Sequence, residues 1–178
     1  ADDAIYLDGW QHGDNGGYGF QPWIIDEVFE DNFTIASSLT NGGFSATNNI
    51  DTNSKSFTIN NNANSSDYIN AWRYFENELE PGQIFSFSVD VNWRDGFKGI
   101  RIQDNNEQAL FRFEVGNRGD GDGAWVDDVV DEAIKINDIY SDDTQYEITL
   151  AQLSPSGGDW TVRRTGEFEA VSYTHLRA

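Results

Sequence analysis

The chain predicts an all-β fold, a jelly-roll-like antiparallel β-sandwich, and three observations carry that expectation. Gln83 to Trp93 alternates strictly, with Phe85, Phe87, Val89, Val91 and Trp93 on one parity and Ser86, Ser88, Asp90 and Asn92 on the other. A period of two is that of a strand with one face in a core. Further runs of strand length recur between Gly-, Asn- and Asp-rich turns, without a repeating unit. Aromatic residues make up 14% of the 178 residues, and no long segment carries a helical period.

The elements follow in order. Residues 1–21 are turn-rich, and a first strand is expected from Trp23 to Phe29. Residues 40–54 read as a Gly/Asn/Thr/Ser loop, and Lys55 to Asn61 alternates through Phe57 and Ile59. A polar turn spans 60–66; Tyr68 to Phe75 is the next strand, closed by Glu80-Pro81-Gly82. The alternating block then continues, with Ile100, Ile102, Phe111 and Phe113 inward and Arg101, Gln103, Arg112 and Glu114 outward. A Gly/Asp loop covers 116–123; Ala124 to Asp128 and Ala133 to Ile139 read as strands, with a short helix near 127–133 as the alternative. Tyr146 to Leu153 and Trp160 to Phe168 form a hairpin across Ser154 to Asp159. One module is expected over residues 1–170. Residues 171–178, Val-Ser-Tyr-Thr-His-Leu-Arg-Ala, resemble a translated sequencing adapter. They are read as a non-native tail, with the sandwich truncated at its C-terminus; an ordinary final strand is the alternative.

Charge and composition narrow the function classes. With 31 acidic against 11 basic residues the net charge is −20. Such a surface repels phosphate backbones and anionic lipids, so neither nucleic acid nor membrane insertion is expected. Cysteine is absent and histidine is limited to two residues, which disfavours thiolate and imidazole metal sites and a Ser–His–acid triad. No apolar run reaches the about 20 residues of a membrane helix.

The N-terminal stretch Gly9-Trp10, then Gly13-Asp14-Asn15-Gly16-Gly17-Tyr18-Gly19-Phe20-Gln21-Pro22-Trp23, is its own motif. It resembles the opening of a group of secreted bacterial β-sandwich modules, in which Asn-Gly-Gly-x-Gly-Phe lies between two tryptophans. Pro81 to Phe87 and Leu110 to Phe113 also resemble that pattern, and the likeness covers most of residues 8–168. It implies a lectin- or glucanase-like architecture and an extracellular or cell-surface module of a larger secreted protein, binding a polysaccharide or glycan. It implies no particular activity.

The candidate sites are three. Tyr68, Asn70, Trp72 and Tyr74 share one parity of their strand, opposite Ile69, Ala71, Arg73 and Phe75. Aromatic faces suit the C–H faces of sugar rings and amides suit their hydroxyls, so these four, with Asp90, Asn92 and Arg101, are the expected glycan face. The competing reading turns Trp72 and Tyr74 into the core. Asp90 and Glu114, with Arg101 and Arg112, would be the catalytic set of a glycoside hydrolase or polysaccharide lyase; the competing reading is cross-strand ion pairing. Asn117, Asp120, Asp122 and Asp127 offer hard oxygen ligands for a stabilising Ca²⁺ on a Gly-rich loop, or a plain solvated turn. The leading expectation is a non-catalytic carbohydrate-binding module. A glycan-cleaving enzyme and a structural or adhesive module are the alternatives.

Overall fold

The computed structural model describes residues 1–25, 33–39, 49–60, 69–91, 96–117, 122–128, 134–137, 144–154, 157–166 and 171–175. After one 3-10 turn, Ala4–Tyr6, these contain only strands: β1 Ile24–Ile25, β2 Phe33–Ala36, β3 Ser56–Ile59, β4 Ala71–Trp72, β5 Ile84–Val91, β6 Lys98–Gln103, β7 Ala109–Asn117, β8 Asp122–Asp128, β9 Ile134–Asn137, β10 Thr144–Ser154, β11 Gly157–Gly166 and β12 Val171–His175. The protein is all-β with antiparallel sheets, as a β-sandwich requires. The chain divides into two compact units, Ala1–Asp90 with Gln145–Ala178, and Val91–Thr144.

The first unit holds the pairs β1–β4 and β2–β3 and the sheet β12-β11-β10-β5. Its core at the N-terminal end is aromatic: Tyr6, Trp10, Ile25 and Phe33 are buried, with Trp23, Ile35, Phe57, Ile69 and Ala71 packed on them. Trp10 meets Trp23 and Phe33 edge-on at 4.9 and 5.3 Å between ring centres, geometry that aligns ring edges with ring faces. A second string of rings, Phe20, Phe75, Phe85 and Phe87, joins the segment before β1 to β5. On β5 the predicted alternation holds: Ser86 and Ser88 are exposed and Val91 is buried.

β2 was not foreseen, because four residues carry too little period to stand out. It pairs with β3 in the register Phe33↔Ile59 to Ala36↔Ser56. β3 also departs from the expected parity: Ser56 and Thr58 are buried and Ile59 is 50% exposed. The Ser56 hydroxyl donates to Ala36 O at 2.9 Å, which satisfies it in the interior. Residues 171–175, set aside from the fold in the sequence reading, form β12, with Val171 opposite Arg164 and His175 opposite Trp160.

The second unit is a meander, β6-β7-β8-β9. Phe111, Phe113, Val115, Ala124 and Val126 are buried on one face. Phe113 stands between Ile100 and Val126, and Arg112 between Arg101 and Asp127, so the two parities carry opposite chemistry across three strands. A register shift between Ile102 and Gln103 leaves Leu110 as the extra residue of a bulge, on the outward parity of Arg112 and 42% exposed. The strands expected at 124–128 and 133–139 are present as β8 and β9; of the helix alternative, residues 129–133 lie outside the described residues.

Candidate functional site

The site begins with the N-terminal motif, whose residues turn out to build a frame. The Tyr6 hydroxyl accepts from Gly16 N at 3.1 Å and from Trp23 Nε1 at 3.2 Å, and donates to Gly16 O at 3.3 Å. Gly16 is obligatory in this packing, since a Cβ there would lie 2.8 Å from Asp3 Oδ2 and Ile5 Cγ2 and closer still to Tyr6 Cε2. Arg73 enters the same knot from 57 positions away in sequence, donating through Nη1 to Gly16 O at 3.1 Å. It donates also to Gln21 O at 3.0 Å and to Asn15 Oδ1 at 3.1 Å. Its guanidinium lies 4.6 Å from the Phe20 ring centre and 4.9 Å from that of Trp23. Planar, multiply donating and readily stacked, arginine fits this setting and lysine does not. His12 is likewise structural: Ile25 N lies 3.3 Å from its Nδ1.

That inward arginine fixes the parity of its strand. The segment 20–25 runs antiparallel to 71–75, with Phe20 opposite Phe75, Ile24 opposite Trp72 and Ile25 opposite Ala71. Gln21 N donates to Tyr74 O at 2.9 Å, and Glu76 N to Gly19 O at 2.9 Å. Ala71, Arg73 and Phe75 are the more enclosed residues, while Asn70 is exposed, Trp72 is 44% exposed and Tyr74 is 55% exposed. The structure therefore turns Trp72 and Tyr74 outward, the orientation the glycan-face expectation needs, and excludes the core alternative for both. Two residues apart on extended chain, their Cα atoms are separated by about 6.7 Å. Tyr68 and Asn92 lie outside the described residues.

The remaining expected residues fall in both units. Asp90, next to last in β5, belongs to the first unit. The sequence reading placed it on an open polar face; both its carboxylate oxygens are instead shielded from solvent. Arg101, Arg112, Glu114 and Asp127 belong to the second unit. There Arg112 Nη1 lies 3.1 Å from Glu114 Oε1, and Arg112 Nε 3.3 Å from Asp127 Oδ2 across the strand pair. Arg101, exposed, stands directly opposite Arg112. This is the ion-paired sheet face weighed against catalysis: the two carboxylates compensate an otherwise repulsive arginine pair.

The calcium set is also divided. Asn117 is paired with Asp122 at the β7–β8 hairpin end, whereas Asp127 is paired with Arg112. Asp127 is five strand positions from Asp122, about 16 Å, so one ion cannot take both. Asp120 lies outside the described residues, among which no group of three or more candidate metal ligands occurs.

Two residues of interest escaped the sequence reading. Tyr18 is 95% exposed at the end of the 20–25/71–75 ribbon, between Gly17 at φ +87° and Gly19 at φ +81°. Trp125 lies on the parity of Arg112 and Glu114 yet is only 3% exposed, with Lys135 Nζ 5.3 Å from its ring centre. Comparison of the chain with family models, with curated proteins and with solved structures finds no match.

Proposed function

We propose that the protein is a non-catalytic carbohydrate-binding module of an extracellular protein, jelly-roll-like in strand order and of the secreted bacterial kind its opening motif resembles. The observation that carries this reading is the outward pair Trp72 and Tyr74 beside exposed Asn70. Exposed aromatics held by a rigid inner face suit stacking against sugar rings, and an adjacent amide suits ring hydroxyls. Each ring buries about 150–250 Å² when fully covered, so two partly covered rings support weak-to-moderate binding, the range of a module that relies on repeated contacts. A glycan-cleaving reading is less well supported, because Asp90 is shielded and Glu114 is paired with Arg112. Calcium belongs to the proposal only at the 117–122 hairpin end; a melting midpoint that EDTA leaves unchanged removes it.

The test is retention on a glycan array, repeated with Trp72→Ala. Loss of a stacking ring is expected to weaken binding about tenfold or more, roughly 1.4 kcal/mol. Retention on no glycan, or retention indifferent to the substitution, defeats this site and leaves the structural or adhesive module as the reading.

A further inference from the structure

We infer that the ribbon face takes an uncharged polysaccharide, whose rings stack on Trp72 and Tyr74; this rests on the carbohydrate-binding reading above. The cation nearest these rings in sequence, Arg73, is turned inward and committed to Gly16 O, Gln21 O and Asn15 Oδ1 between Phe20 and Trp23. It stands on the parity opposite Trp72 and Tyr74. Acidic side chains flank the ribbon instead: Glu76, whose N–H joins the ribbon end to Gly19, is exposed, and so is Glu78. A chain of net charge −20 adds a long-range repulsion for any polyanion. Neutral rings escape that penalty and gain the same stacking.

Trp72 and Tyr74 face out about 6.7 Å apart along the strand, so a ligand of more than one ring meets both.

The experiment measures affinity for two oligosaccharide ladders of two to six rings. One is neutral, drawn from whichever glucan, xylan, mannan or galactan the array selects; the other is oligogalacturonate. Each is run at low and high salt with the unaltered chain and Trp72→Ala. The expected result is affinity for the neutral ladder that ignores salt and exceeds that for oligogalacturonate by about tenfold or more at low salt. Oligogalacturonate bound as tightly as the neutral ladder overturns this inference while leaving the binding reading intact. Absence of binding to both ladders, or binding that Trp72→Ala does not weaken, overturns the reading itself.

Discussion

At the scale of single residues, the most constrained positions are those of the N-terminal knot. Gly16 has no room for a side chain beside Tyr6, Asp3 and Ile5. Gly16→Ala is expected to destabilise the fold by about 1–3 kcal/mol, measured by urea unfolding, because the Tyr6 ring must shift away from its hydrogen bonds. Asp51 behaves differently. Burial works to raise its pKa but is outweighed by hydrogen bonds from the Ser37 hydroxyl and Ser38 N, both 2.7 Å, so its carboxyl is held below the usual carboxylate range. A depressed folded pKa means the unfolded chain binds the proton more readily. The stabilisation is therefore complete above the unfolded value of about 3.9 and is lost as pH falls through the lower folded value. Asp51→Asn should flatten the acid limb of the melting-midpoint profile below about pH 4; an unchanged limb refutes this.

At the scale of elements, the β6-β7-β8 face offers a test of how its charges are balanced. Arg101 and Arg112 oppose each other, and Arg112 holds Glu114 and Asp127 with side chains that are 33%, 21% and 23% exposed. Partial exposure limits each pair to about 1 kcal/mol. Asp127→Ala should cost about that much, and Arg101→Ala in the same chain should recover part of it, which a double-mutant cycle in urea reads directly. How much of this was legible in the sequence depends on the range of the interaction. Strand parity is local, so the outward set Arg101, Arg112 and Glu114 followed from the alternation, as did exposed Ser86 and Ser88. Asp90 has the expected parity, yet its carboxylate oxygens are shielded, which alternation along β5 does not reveal. The roles of Asn15 and Phe20 could not be read locally: both meet Arg73, 58 positions from Asn15, and Gly16 O accepts from the same arginine, 57 positions away. Trp72 and Tyr74 sat between two readings until that arginine fixed which side of the strand faces out.

At the scale of the whole molecule, the charge of −20 sets behaviour in solution. Self-repulsion opposes the folded state and is screened by salt, whose Debye length falls from about 30 Å at 0.01 M to 3 Å at 1 M. The melting midpoint should rise across that range, and a flat response would show that the acidic groups lie too far apart to matter. No helix among the described residues is long and apolar enough to cross a membrane. The inward arginine carries one more consequence, for how such a surface could change over generations. Ala71, Arg73 and Phe75 are the more enclosed side of the strand, while Asn70, Trp72 and Tyr74 are exposed. Substitutions at the outer three positions would therefore cost less folding stability than at the inner three, so lineages, or a directed library, could rewrite what the ribbon recognises while keeping the frame beneath it.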